Sequence, residues 1–290
     1  MNNYLKDKVV IVTGAAAGFG EILSRKISAM SAKIVAADID QKGLTKITED
    51  VRDQGGEIIG VATDVTDKNQ MRFLAAEAVR EFNAIDILIN NAGIMPLAFY
   101  SDHQHAEDSW ERCIDINIKG VLNGITSVHD QMIKQGEGHI VNLASIYGNH
   151  PTAGGGVYGA TKAAVIFLSE SLRIESQGKI KVTIVRPTGV PATNLGAGII
   201  NPAAVTGLLG GNTASYMSKF EAAEAGQLPS SMTDINHIEY FALDPESLVN
   251  QIIYAINQPK GVAISDNTVR ASGDGYVLSL IHISEPTRPY

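Results

Sequence analysis

A β-branched run, a glycine-rich turn and an amphipathic stretch follow one another at residues 8–30, and few folds accommodate that succession. Residues 8–13 (KVVIVT) have the make-up of a strand buried on both faces. The turn reads Thr13-Gly14-Ala15-Ala16-Ala17-Gly18-Phe19-Gly20, and residues 21–30 (EILSRKISAM) take up helical periodicity. In this order the three pieces make an anion cradle. Gly14 permits the tight turn, Gly18 lets the backbone approach a pyrophosphate, and Gly20 lets the helix pack closely on the sheet. A glycine-rich loop alone is often just a turn; the strand before it and the helix after it make this one a binding motif.

The alternation continues along the chain. Residues 33–38 (KIVAAD) form a second strand ending in Asp38, about twenty residues beyond the loop, where a carboxylate can accept both hydroxyls of an adenosine ribose. Asp38 also repels a 2′-phosphate, and no Arg or Lys stands at 15–17, 37 or 39, so NAD is predicted over NADP. A helix at 41–53 leads to a strand at 57–63, ending in Asp64-Val65, and a helix at 67–82. The strand at 85–90 meets Asn91-Ala92-Gly93, and a long helix spans 108–134. A strand at 139–144 delivers Ser145; a helix at 157–176, a strand at 181–186 broken by Pro187, a helix at 245–257 and a strand at 261–271 follow. This spacing predicts an α/β fold: one Rossmann-type domain over residues 1–277, a doubly wound parallel sheet of about seven strands with helices on both faces.

Composition narrows the function classes. The 290 residues are 44% hydrophobic and 19% charged, as in a folded domain. A net charge of −8 disfavours nucleic acid and anionic membranes as partners. No apolar run is long enough for a membrane span or a signal peptide, and the single cysteine, Cys113, excludes an internal disulfide. A reducing, cytoplasmic setting is expected. His103 and His105 form an HxH pair in the acidic stretch SDHQHAED, read as solvated loop surface without a third metal ligand.

Tyr158 and Lys162 stand four apart in the predicted helix 157–176, so both side chains leave one face a turn apart. That spacing most often means an exposed helix face. Its other meaning is chemical. A phenol ordinarily ionises near pH ~10, so ionising it near neutrality asks a site for roughly 4 kcal/mol from nearby positive charge and hydrogen bonds. Ser145 can supply one such bond. Asp38, Asp64, Asn91 and Ser145 all fall at or just after strand carboxyl ends, where a doubly wound sheet binds ligands. Asn117 stands among isoleucines inside the predicted helix 108–134; a helix distortion with a bound water or a hydrogen-bonded core amide accounts for it. Cys113 is read as a packing residue.

Together TGAAAGFG at 13–20, Asp38, Asp64-Val65, NNAG at 90–93, Asn117, Ser145 and YGATK at 158–162 resemble the classical short-chain dehydrogenase/reductase family of NAD(P)-dependent oxidoreductases. The resemblance runs from about residue 7 to 272, and the stretches IMPL and INIKGVLNGI are similar to the branch acting on hydroxy acids and small hydroxy compounds. It implies hydride transfer between nicotinamide C4 and a secondary alcohol, or the matching carbonyl compound. In that scheme Tyr158 is the general acid/base, Ser145 holds the substrate oxygen, and Lys162 lowers the tyrosine pKa and binds the nicotinamide ribose. Asn117 anchors a water joining Lys162 to solvent. The implied cofactor contacts are Gly14, Gly18, Phe19, Gly20, Asp38, Asp64, Val65, Asn91, Ala92, Gly93, Tyr158, Lys162, Pro187, Val190 and Thr193. A homodimer or homotetramer paired through the helices at 108–134 and 157–176 is also implied.

The chain departs from the family after its sixth strand. The usual Pro-Gly-x-Val-x-Thr reads Pro187-Thr188-Gly189-Val190-Pro191-Ala192-Thr193, with Ala192 where a cofactor-binding Thr or Ser is expected and Thr193 one residue beyond. Residues 194–243 are expected to form a helical lid over the substrate. Residues 278–290 (LSLIHISEPTRPY) resemble the translation of a transposase adapter from sequencing libraries and are read as non-native. Two rival functions remain at this point. A silent cofactor-binding sensor or scaffold conflicts with the intact Ser145, Tyr158, Lys162 and Asn117; a serine hydrolase using Ser145 lacks a G-x-S-x-G elbow.

Overall fold

Five consecutive buried residues, Val9–Thr13, form strand β1, and their alternation divides the core in two. Val10 and Val12 pack into one cluster with Leu23, Ile27, Leu44, Ile47, Leu248 and Ile252. Val9 and Ile11 face the opposite cluster, with Met71, Leu74, Val128, Met132, Val165 and Leu172. Burying one such aliphatic side chain contributes roughly 1.5–3 kcal/mol, which is why a strand apolar on every residue settles in the middle of a sheet.

In this computed structural model, which describes residues 2–190 and 194–276, the other strands are β2 (Lys33–Asp38), β3 (Glu57–Ala62), β4 (Ile87–Asn90), β5 (Gly138–Leu143), β6 (Ile180–Pro187) and β7 (Asp266–Val269). They pair in parallel in the order β3-β2-β1-β4-β5-β6-β7, the doubly wound sheet expected. Helices α1 (Gly18–Ala29), α2 (Gln41–Asp53) and α9 (Pro245–Ile256) cover one face. Helices α3 (Lys68–Phe82), α5 (Val121–Gln135) and α6 (Gly156–Glu175) cover the other. Strand order reverses between β1 and β4, so a crevice opens beyond their carboxyl ends.

Three expectations change. The helix expected at 108–134 is three segments: α4 (His103–Ile114), a π-helical stretch at Asp115–Gly120, and α5. No proline interrupts the run, so periodicity alone does not show the inserted residue that widens the middle segment. His103 and His105 therefore lie in the first turn of α4, not in a loop. Both are exposed, and His103 Nδ1 meets Glu107 at 3.0 Å. The last strand is only four residues, Asp266–Val269, because its pairing with β6 begins at Ile184↔Asp266.

The helical expectation for residues 194–243 holds as far as Thr233, beginning with short 3₁₀ turns at Asn194–Gly198, Pro202–Leu208 and Gly210–Asn212, and residues 234–243 carry no helix. Helices α7 (Thr213–Glu224) and α8 (Ser230–Thr233) follow. Asn201 ties this region to the start of α4, with Nδ2 donating to Asp102 at 2.8 Å. Residues 278–290 lie outside the described residues.

Candidate active site

The glycine turn closes over the end of β1. Gly14 and Gly18 have φ of 66° and 55°, which glycine adopts without strain. A Cβ on Gly20 would overlap the Gly14 carbonyl, so helix and turn approach as closely as the sequence suggests. Thr13 and Asn91 lock β1 to β4. The Thr13 hydroxyl accepts the backbone N–H groups of Asn91 and Ala92, both at 3.1 Å. The Asn91 amide donates to the carbonyls of Thr13 (2.8 Å) and Gly14 (3.1 Å).

Helix α1 begins differently from its neighbours. Asp40, Asp67 and Asp244 cap α2, α3 and α9 with side-chain hydrogen bonds, whereas Ala17 at the start of α1 offers none. The first N–H groups of α1 therefore keep their donor capacity and the positive end of the helix dipole is open to an anion. This fits a dinucleotide pyrophosphate. Phe19, in the first turn, packs partly buried against the α1-side core.

A cavity of about 670 Å³ adjoins this turn and is lined by Gly14, Asp38, Asp64, Val65, Ala92 and Gly93 among others. The residues expected around an adenosine are thus brought together. Asp38 is fixed at its mouth: Oδ2 accepts the Ala16 N–H and Oδ1 accepts the Asp40 N–H, each at 2.9 Å. Asp64 Oδ1 accepts the Thr66 hydroxyl (2.8 Å) and backbone N–H (2.9 Å), holding the loop that presents Val65. Asp108, Glu111, Arg112 and Asp115 line the far side from α4 and the π segment, a contribution unmarked by any motif.

At the other end of Gly93 lies the second cluster. A Cβ on Gly93 would stand 3.2 Å from Asn117 Oδ1 and 3.6 Å from Lys162 Nζ, so this glycine joins the cavity to the buried polar centre. Asn117 sits in the π segment. Its Oδ1 accepts the Ile94 N–H (3.0 Å), and Nδ2 donates to the Ile94 carbonyl (3.0 Å) and the Thr161 hydroxyl (3.1 Å). Both readings of Asn117 hold in part: the helix is distorted there, and the amide is bonded within the core.

Tyr158, Lys162 and Ser145 are all buried. Ser145 stands close enough to Tyr158 to act on its phenol, and its Oγ accepts the Tyr147 N–H at 3.3 Å. Lys162 Nζ donates to the Leu143 carbonyl at 2.8 Å and lies 5.7 Å from the centre of the Tyr158 ring. Burial pulls the Lys162 amine down to about 8 and pushes the Tyr158 phenol above its ordinary range, with the Ser145 hydroxyl acting against that rise. The expected depression of the tyrosine is not seen here. One of the ammonium's three donors goes to a strand-end carbonyl, and desolvation of the phenolate outweighs the help of the Ser145 hydroxyl. Burial likewise pushes the Cys113 thiol up to about 11, which agrees with a packing role.

After β6 the chain carries Pro187, paired with Val269, and Thr188, whose N–H donates to the Val269 carbonyl at 3.1 Å. Val190 packs against the α1-side core. Thr193 lies outside the described residues. No motif marks Tyr147, which meets Tyr158 edge-on at 5.4 Å, or Tyr276, which packs against the same cluster. Contacts of this kind depend on where the 3₁₀ turns and the C-terminal segment fold back, and no local spacing encodes that.

Comparison with known proteins agrees with this geometry. A family profile described as short chain dehydrogenase matches residues 8–202. An uncharacterized oxidoreductase of Listeria innocua is 35% identical over 265 residues, covering 91% of this chain and 96% of the relative. A short-chain dehydrogenase/reductase from Burkholderia phymatum, solved in complex with NAD, superposes with a TM-score of 0.72 at 25% identity, covering 92% of this chain and 90% of that one. The closed form of a serine dehydrogenase with NADP+ gives a TM-score of 0.70 at 29% identity, covering 90% and 94%. Sequence, sheet and site thus converge, and the chain belongs to the short-chain dehydrogenase family of oxidoreductases.

Proposed function

We propose that this oxidoreductase uses NAD to interconvert a secondary alcohol or hydroxy acid and the corresponding ketone or aldehyde, with Tyr158 as general acid/base. The observation that carries the reading is the burial of Ser145, Tyr158 and Lys162 together, with Ser145 acting on the Tyr158 phenol, Lys162 one helical turn on and Gly93 joining the group to the cofactor-sized cavity. When bound, the nicotinamide supplies the hydride acceptor or donor and, in its oxidised form, a positive charge.

The chain's own residues do the rest. Ser145 Oγ donates to the substrate oxygen and holds it against the phenol, so the proton moves between that oxygen and Tyr158 Oη over one hydrogen-bond length. Lys162, fixed on the Leu143 carbonyl, presents a cation to the ribose and to the developing phenolate. Asn117 keeps the Ile94 backbone and Thr161 in place behind Lys162. The glycine turn and the uncapped α1 hold the pyrophosphate.

The cavity favours NAD by charge. Asp38, Asp64, Asp108, Glu111 and Asp115 line it against a single guanidinium, Arg112. A 2′-phosphate placed beside Asp38 meets a carboxylate already held in position by two backbone N–H groups. The test is a panel of secondary alcohols, hydroxy acids and their ketones, assayed with NAD and NADP by nicotinamide absorbance. Turnover with a higher kcat/KM for NAD is expected. A preference for NADP would overturn the cofactor assignment, and tight NAD binding with no turnover anywhere would favour a sensor.

A further inference from the structure

Beyond Tyr158 the site carries a pair of phenols that the reaction does not use. Tyr276, from the C-terminal segment, and Tyr216, from α7, bring their hydroxyl oxygens to 2.8 Å, with ring centres 5.4 Å apart. Tyr276 reaches this point over Gly189, where any Cβ would overlap its hydroxyl. Gly189 is the residue before Val190, in the turn expected to hold the nicotinamide. Tyr276 also packs on the cluster that contains Tyr158, Tyr147, Ala204 and Leu208. Tyr147, edge-on to Tyr158, is within electrostatic reach of both phenols. The pair thus stands between the nicotinamide turn and the helical lid, one ring removed from the reacting oxygen.

Two hydroxyls bonded to each other use one of their two protons. The other proton has no acceptor among the described residues. Burial raises both phenols, so they remain neutral donors through the ordinary working range. The cations nearby are engaged elsewhere: Lys219 lies 5.6 Å from the centre of the Phe241 ring, and Arg270 is paired with Asp274. This wall offers a neutral hydrogen bond and no counter-charge.

We infer that the Tyr216–Tyr276 pair is a specificity determinant that donates a hydrogen bond to a second, uncharged oxygen of the substrate. The substrate class it selects is the vicinal diol and α-hydroxyketone rather than the hydroxy acid. The inference rests on the oxidoreductase reading for its substrate site, and it narrows that reading.

The test uses dead-end complexes, in which no hydride can move, so that it does not depend on turnover. Isothermal calorimetry on the wild-type protein saturated with NAD+ measures binding of 3-hydroxy-3-methyl-2-butanone, whose tertiary alcohol NAD+ cannot oxidise, of 3-methyl-2-butanone and of pyruvate. One hydrogen bond predicts about 3- to 10-fold tighter binding of the hydroxyketone than of methylbutanone. Pyruvate should bind no better than methylbutanone. The double variant Tyr216→Phe/Tyr276→Phe keeps both rings and should bring the hydroxyketone-to-methylbutanone ratio to about one, with NAD+ affinity unchanged. Equal binding of the two ketones by the wild type, pyruvate outbinding the hydroxyketone, or a ratio that survives in the double variant would each overturn the inference. The wild-type ratios decide even if the double variant does not fold. A hydroxyketone preference in a wild type that turns over no substrate would remove the oxidoreductase reading and leave only the hydrogen bond at the Tyr216–Tyr276 pair.

Discussion

Lys162 shows how much of a site's behaviour is set by burial. Its amine is brought down from 10.5 to about 8, so between those values the unfolded chain holds a proton that the folded chain has lost. Folding is therefore favoured progressively as pH rises from about 8 to 10.5, and below 8 the buried ammonium carries its full desolvation cost. Lys162→Met removes this dependence. Thermal melts across pH 7–10.5 should show wild type gaining on the variant as pH rises; a constant difference would mean the amine is not depressed. Asp38, Ser145, Tyr158 and Lys162 were legible because each is the local end of a pattern: a strand terminus, or an i, i+4 pair. Their partners were not. Thr161 under Asn117, the Ile94 backbone, and the two phenols at 216 and 276 are brought in by tertiary contacts between segments with no shared spacing.

At the scale of elements, the start of α1 is the clearest link from sequence to chemistry. Aspartates cap three other helices, while the helix facing the crevice starts at Ala17 and Gly18 with its donors left for a ligand. Gly20→Ala inserts a methyl group into the Gly14 carbonyl, so the turn must move away from the helix. NAD affinity by fluorescence titration should fall more than tenfold, a ~1.4 kcal/mol effect, while a smaller loss of thermal stability accompanies it. Unchanged affinity would show that the close approach of turn and helix is not needed for binding. The π segment at 115–120 is signalled in the sequence by one residue, Asn117 among isoleucines. An extra backbone residue in one turn leaves no other mark on composition.

The whole molecule is arranged so that one reversal of strand order makes one crevice, and both faces of the sheet are needed to fill it. The turn over β1 comes from the α1 face, whereas Tyr158 and Lys162 come from α6 on the other. That much followed from the alternation of strands and helices. The arrangement of turns within residues 194–243 and the path of the closing segment did not, because 3₁₀ turns rich in glycine and alanine have no periodicity to read. Phe167 and Ile174, each 75% exposed and seven residues apart on α6, give an apolar stripe of the kind that pairs subunits. Sedimentation of the wild type should give a dimer or tetramer, and Phe167→Glu should shift it toward the monomer. A wild-type monomer would remove the stripe from the account.

Proton transfer by Tyr158, with the cofactor held elsewhere, is the step on which the proposed activity depends. The most direct measurement is steady-state turnover and NAD dissociation constant for Tyr158→Phe beside the wild type, with the best substrate of the panel. The ring stays and only the hydroxyl is lost, so kcat should fall by about 10²- to 10⁴-fold with the dissociation constant for NAD changed less than about threefold. A variant that keeps wild-type turnover would contradict the account.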